Sequence, residues 1–341
     1  MAGQENIGRV ARADRGISPL RTGLAREAAS AHHPPMKTPR PSRATPKDRG
    51  VTRRRALQSA LAIAGGAAVL PRLASAADDA APYKVQNGRI QQSVVQWCFK
   101  SWNPAQIVSH AAKLGLKSVE LIGTEHWPKL KEAGLICAIT GSHGFAKGFA
   151  HLEEHDECIA KLRKSIDATS AEGWPSVITF SGFRRGISDE EGMKNMVEGL
   201  KKIVGYAEEK KVTLCLEMLN SRVNIEMKGH PDYFCDDIDR SVEVCQRVGS
   251  ERLKVLFDIY HVQIMHGDVI SRMKKHAAYL GHIHTAGNPG RNEIDDTQEI
   301  NYPPIMKALV ALGYKGHVGQ EFIPLRDPVQ SLADAARRCD V

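Results

Sequence analysis

No CxxC pair occurs in this 341-residue chain; its seven cysteines, at 98, 137, 158, 215, 235, 245 and 339, are scattered and odd in number. That pattern argues against a disulfide framework and against a cysteine-based zinc site. Cys137 in LICAIT and Cys215 in TLCLEM sit inside apolar runs, where a thiol behaves as a small core group. Also missing is a GxGxxG after the first strand candidate, so a dinucleotide site lacks its mark there. The apolar stretch at 56–70 is too short and too rich in Ala and Gly to make a good membrane span. An excess of basic charge is absent from most of the chain as well. The formal net charge is +8, but residues 1–76 hold 14 of the 47 Lys and Arg and only 4 of the 39 Asp and Glu. Residues 77–341 therefore carry 33 basic and 35 acidic side chains, a net of −2. Nucleic-acid binding loses its electrostatic footprint.

What the first 76 residues do have is an address. Residues 1–52 are rich in Arg, Ala, Pro and Ser, with no sustained apolar period. TRRRALQSALAIAGGAAVLPRLASA (52–76) follows: an arginine cluster at Arg53, Arg54 and Arg55, an apolar stretch, then Ala74-Ser75-Ala76. This is the layout of an export signal with a small-residue cleavage site. The paired arginines resemble a twin-arginine signal, which implies a protein folded before export and delivered to the periplasm or another extracytoplasmic space. Unpaired cysteines suit folding in a reducing compartment. A basic or amphipathic N-terminal arm is the alternative, and Met36 would give a leader of more ordinary length. The expected division is an extension plus signal at 1–76 and a folded domain at 77–341, with no stable membrane span once the signal is removed. A homo-oligomer is left open.

From about residue 90, short β-rich runs alternate with amphipathic stretches. Eight strand candidates emerge: SVVQWCF (93–99), KSVELIG (117–123), LICAIT (135–140), SVITFSG (176–182), VTLCLEM (212–218), LKVLFDIY (253–260), YLGHIHT (279–285) and HVGQEFI (317–323). The helices between them have readable ends. Asn103-Pro104 is a cap followed by a first-turn proline, and Gly115 closes that helix. Ile159, Leu162 and Ile166 mark a buried stripe. Ser188 and Glu191 form a capping box ahead of Met193, Val197, Leu200 and Val204. Pro303-Pro304 opens IMKALVALG, which stops at Gly313. Strand alternating with helix implies a parallel sheet. Eight units in about 250 residues match the size of a closed (β/α)8 TIM barrel. A doubly wound open sheet is the alternative.

In such a barrel the chemistry sits at the C-terminal ends of the strands. Strand five ends in Glu217, strand six in Asp258, strand seven in His284 and strand eight in Glu321, each after an apolar run. Three carboxylates at one end of a barrel repel one another, and burying them unpaired costs several kcal/mol each. Either cationic side chains or a metal must offset that. Three oxygen donors and one imidazole suit one divalent cation, Mn²⁺, Mg²⁺ or Co²⁺ ahead of Zn²⁺. Ion pairing with Arg or Lys is the alternative, although the strands bring no interior Arg or Lys beside these carboxylates. GHIHTAGNPGR (281–291) places His282 and His284 on one face, two residues apart, with His284 nearer the open end. His261 lies just past strand six, within reach of a metal-bound ligand. Arg291 closes the loop after His284 and can grip a carboxylate or hydroxyls. Lys228 is a further substrate-binding candidate, His282 a supporting one, and His143 and Trp97 are positioned to line the pocket.

These residues resemble the xylose-isomerase-like superfamily of sugar isomerases and epimerases. Within it, FDIYHVQ, HIHTAGNPGRNEIDD and EINYPPIM look most like the hydroxypyruvate isomerase family. The likeness runs from about residue 90 to 325 and is most specific over 253–304. It implies that Glu217, Asp258, His284 and Glu321 bind the metal, that Glu217 and Glu321 are also the proton-transfer pair, and that His261 and Arg291 contact substrate. Some members carry Gln where this chain has His284, whereas the related ketose epimerases carry His. The implied reaction is proton transfer through an enediolate of a small hydroxy-carbonyl compound, with hydroxypyruvate to tartronate semialdehyde as the named case. A ketose 3-epimerase uses the same parts. Two further readings are an exported barrel that binds a sugar or organic acid without catalysis, and a phosphodiesterase of the endonuclease IV type. The second would need more metal ligands and a basic groove.

Overall fold

The computed structural model describes residues 83–341; the extension and signal expected at 1–76 lie outside the described residues. The strands are β1 (Gln91–Val95), β2 (Ser118–Glu120), β3 (Ile139–Thr140), β4 (Ser176–Thr179), β5 (Thr213–Glu217), β6 (Leu253–Asp258), β7 (Leu280–Thr285) and β8 (His317–Gln320). They form one parallel sheet in the order β2-β1-β8-β7-β6-β5-β4-β3. The ring is completed between β2 and the run into β3 by the bridge Ser118–Ile136. Three backbone hydrogen bonds lie along that seam: Val119 N to Ile136 O, Ile136 N to Lys117 O and Leu121 N to Ile139 O, at 3.1, 3.2 and 3.1 Å. The expected TIM barrel is what forms.

Between the strands run α1 (Pro104–Leu114), α2 (Trp127–Glu132), α3 (His155–Ala171), α4 (Asp189–Glu209), α5 (Ile238–Val248), α6 (Ile259–Met265), α7 (Val269–Lys275), α8 (Tyr302–Ala311) and, last, α9 (Pro328–Cys339). Asn103 caps α1 through a reciprocal pair with Gln106, and Gly115 ends it at φ 77°, a left-handed conformation that costs glycine little. On α3, Leu162 and Ile166 are buried and Ile159 half-buried. At the start of α4 the Ser188 hydroxyl accepts from Glu191 N, while the return bond from the Glu191 side chain is not among the described hydrogen bonds. Half of that capping box is therefore present.

Every strand candidate overlaps a strand, but most strands are shorter than the apolar run that announced them. LICAIT contributes only Ile139–Thr140, and SVVQWCF turns into a 3₁₀ turn at Gln96–Cys98, so Trp97 sits beyond β1. Apolar composition there reports burial, which a turn packed on the core needs as much as a strand does. Helices on the outside and side chains within the ring bury the strands on both faces; all of β4 is buried, and Leu216, Val255, Ile283 and Val318 are fully so. Each such side chain contributes roughly 1.5–3 kcal/mol over its exposed state.

Burial also makes the fold sensitive to acid. It pushes His143, after β3, and His317, at the start of β8, down to about 4. In the unfolded chain both take up a proton below about 6.5. Their contribution to stability is therefore present above pH 6.5 and is lost as the pH falls toward 4, at most about 3 kcal/mol per imidazole. Urea midpoints measured at pH 7 and pH 5 should show a clear drop at pH 5, and H143N with H317N should shrink it. A drop of equal size in the double variant would remove the histidines as its cause.

Candidate metal centre and active site

The strands deliver the four predicted ligands to one place. Glu217 ends β5, Asp258 ends β6, His284 lies one residue before the end of β7, and Glu321 follows β8 directly. One donor atom from each lies within 4.8 Å of the others, and all four residues are buried. Register explains the meeting, because Asp258 pairs with His284 and His284 with Gly319 across neighbouring strands.

Local structure orients each group. Asp258 is the cap of α6: its Oδ1 accepts from the backbone N–H of Tyr260 at 2.8 Å and of His261 at 3.4 Å. That use of Oδ1 leaves Oδ2 facing the cluster. Glu321 is held from two sides, with Trp97 Nε1 donating to Oε1 at 3.1 Å and Arg291 Nη2 to Oε2 at 2.5 Å. His284 Nδ1 also lies 3.0 Å from Glu321 Oε2 and 3.7 Å from Glu217 Oε1. Glu217 is less encumbered, its Oε1 lying 3.7 Å from Nδ1 of that imidazole.

Electrostatics follow from these contacts. Burial, and then the Glu321 charge, raise Glu217 above the ordinary carboxylate range. Burial pushes Asp258 up to about 7 although Arg291 opposes it. Burial would raise Glu321 as well, but Arg291 and His284 hold it well below its usual value. Burial and the Arg291 charge keep His261 neutral, far below 6.5.

The substrate-binding candidates divide. Arg291 is buried, its guanidinium lying 5.2 Å from the Trp97 ring centre and 5.7 Å from that of Tyr260. Its Nη1 donates to Met227 O at 2.7 Å and its Nη2 lies 3.3 Å from Asp258 Oδ2, while Nε has no partner among the described residues. Ion pairing by arginine, weighed above against a metal, is thus present in part, and it comes from a loop rather than from a strand. His261, in the first turn of α6, takes hydrogen bonds on Nδ1 from the Asn220 backbone (3.1 Å) and Nδ2 (2.7 Å). With Nδ1 an acceptor, the proton sits on Nε2, which is buried, unpartnered and 3.6 Å from Asp258 Oδ2. His282 is turned away from the four-residue cluster; its Nε2 lies 3.0 Å from Glu120 Oε2. For Lys228 it is the carbonyl that is tied in, accepting from Tyr260 Oη and Asn220 Nδ2 at 2.8 and 2.9 Å. His143 bonds Thr179 Oγ1 at 2.9 Å.

Three residues at the site went unnoticed in the sequence: Glu120, Asn220 and His230, whose ring centre lies 6.1 Å from that of His261. Glu120 ends β2 as Glu217 ends β5, so the same end-of-strand rule would have found it. Asn220 and His230 sit in the long segment after β5, where no period marks them.

The donor set fits a divalent cation. His284 gives its Nε2 to Glu120 at 3.0 Å, and its Nδ1, facing the carboxylates, is a buried nitrogen that makes no well-aligned hydrogen bond among the described residues. Three carboxylates and one free imidazole nitrogen are a hard-to-borderline ligand set.

Comparison with known proteins agrees with this fold. The family model described as xylose isomerase-like TIM barrel matches residues 108–339. A 2-oxo-tetronate isomerase of Cupriavidus necator is 41% identical over 113 residues, 33% of this chain and 41% of that protein. A hydroxypyruvate isomerase of Escherichia coli is 30% identical over 139 residues, 41% of this chain and 51% of that one. The chain thus spans about half the length of these two curated relatives. A crystal structure of an AP endonuclease, family 2, from Brucella melitensis superposes with a TM-score of 0.63 at 23% identity, covering 73% of this chain and 99% of that one. At that identity the likeness is one of fold.

Proposed function

The chain belongs to the xylose isomerase-like TIM barrel family, and on that premise we propose that it isomerises a small 2-oxo acid bearing a hydroxyl on the next carbon, as in hydroxypyruvate to tartronate semialdehyde. The observation that carries this reading is the convergence of Glu217, Asp258, His284 and Glu321 within 4.8 Å beside a buried arginine. These four side chains would hold one divalent cation, Mn²⁺, Mg²⁺ or Co²⁺ in preference to Zn²⁺. Bound there, the ion supplies charge stabilisation to the two oxygens of an enediolate. The names of the 2-oxo-tetronate and hydroxypyruvate isomerases support the substrate class.

The chain's own groups do the rest. Arg291 offers Nε–H toward the substrate carboxylate, its plane fixed between Trp97 and Tyr260. His261 presents a neutral Nε2–H to a substrate oxygen, a donor that burial keeps from becoming an acid. Glu217 removes the proton from C3, and either it or Glu321 returns one to C2. The hydroxyl proton moves from O3 to O2, so the atoms balance and the carbonyl has shifted by one carbon. Returning the proton to the opposite face of the same carbon would instead epimerise a ketose.

Solvent deuterium should enter hydroxypyruvate when the purified protein is incubated with Mn²⁺ in D₂O, and a chelator should abolish it, as followed by NMR. Tight binding of the acid with no exchange would replace this reading by a non-catalytic binding barrel. Turnover of neutral ketoses with the acid left untouched would replace it by a 3-epimerase.

A further inference from the structure

Glu120 is a fully buried carboxylate at the end of β2, and the reaction above makes no use of it. A lone carboxylate in such a place costs several kcal/mol unless it is paired and hydrogen-bonded. Here the compensation is specific. Oε2 lies 3.0 Å from Nε2 of His282 and 3.0 Å from Nε2 of His284, and Oε1 accepts from the Ser93 hydroxyl on β1. The two imidazoles meet edge to face at 88° with centres 5.0 Å apart, so one oxygen serves both. The backbone makes room for this: a Cβ at Gly319 would stand 2.6 Å from Glu120 Oε2 and 2.9 Å from His284 Cδ2. Only a glycine on β8 lets carboxylate and imidazole come together there.

We infer that Glu120 is a positioning residue for the metal centre: it fixes the proton of His284 on Nε2 and turns Nδ1 toward Glu217, Asp258 and Glu321, with His282 as the second arm that centres it. This rests on the reading that those four residues hold a cation. An ionised carboxylate only accepts, so each imidazole nitrogen facing it must carry hydrogen. The nitrogen left for an ion is then Nδ1, the one that faces the other three ligands. A carboxylate behind a ligating histidine sets its ring orientation and raises its basicity. The pair of histidines in GHIHT thereby acquires a division of labour: one binds, and the other braces the group that orients it.

The test has two independent readouts. In the ion-free protein, proton NMR of ¹⁵N-labelled histidine should show two downfield imidazole N–H signals, assigned to Nε2 of His282 and of His284 and slow to exchange with water. E120Q should weaken this pair, moving both signals upfield and speeding their exchange, because a neutral amide oxygen accepts less strongly than an ionised carboxylate. Mn²⁺ affinity by calorimetry should fall about 10- to 100-fold in E120Q. E120D keeps the charge but withdraws it by one methylene, and should also bind Mn²⁺ more weakly. Full affinity in E120D would reduce Glu120 to a remote negative charge and overturn the positioning role. So would a His284 Nε2–H that exchanges freely in the unmodified protein, a measurement that stands even where E120Q does not fold. If the unmodified protein takes up no divalent ion, the cation reading fails by itself, and the N–H signals still decide what Glu120 does.

Discussion

Glu217→Gln is expected to lower kcat on hydroxypyruvate by about 10²- to 10⁴-fold at saturating Mn²⁺, the range a positioned proton-transfer group supplies. The expectation comes from how differently the two glutamates are held. Glu321 has both oxygens engaged, by Trp97 and by Arg291. Glu217 has no such clamp among the described residues; its Oε1 lies 3.7 Å from the His284 imidazole. A base must be free to bind the proton it takes, so Glu217 is the better placed of the two to begin the reaction. Glutamine keeps the shape and a ligating oxygen but cannot accept the proton. Deuterium exchange should fall in parallel with kcat, since both need the same C–H cleavage. A variant within threefold of the unmodified enzyme on both measures would remove Glu217 from the proton path. Loss of Mn²⁺ binding, checked by calorimetry on the same sample, would instead identify it as a ligand above all.

Arg291→Ala should discriminate between substrates. A hydrogen bond to a charged group contributes about 1.5–3 kcal/mol, which corresponds to roughly 10- to 150-fold in kcat/KM for a carboxylated substrate. The loss should fall mainly on KM, because the grip on the carboxylate is the same before and during proton transfer. A neutral ketose that the enzyme turns over should lose far less. Arg291→Lys is not expected to restore the acid, because an ammonium has neither the fork nor the flat face that lies between Trp97 and Tyr260. Equal losses for acid and ketose would assign Arg291 to the Asp258 and Glu321 carboxylates alone.

Much of this site was legible because a barrel turns position along a strand into position in space. LCLE, VLFD, GHIH and VGQE each end an apolar run on a polar group, and parallel register brings such ends together. The same logic applies to SVE on β2, yet Glu120 escaped notice. Its strand is three residues long, and its partners lie 162 and 164 residues away, so no local period points to them. Residues 218–237, after β5, are the other gap. Asn220 fixes the His261 proton through a turn whose backbone, not whose pattern, places it. Trp97 was visible as an aromatic near β1, but its bond to Glu321 depends on a 3₁₀ turn that apolar composition does not distinguish from strand.

The stave that carries Glu120 meets the run into β3 through one isolated bridge and three hydrogen bonds. The other junctions are parallel ladders, two pairs long between β3 and β4 and with a register shift between β6 and β7. Opening of that seam would carry Glu120 away from the imidazole it orients before the bulk of the barrel gave way. On the proposed reading, mild warming or low denaturant would then weaken cation uptake while the circular-dichroism signal still looked native.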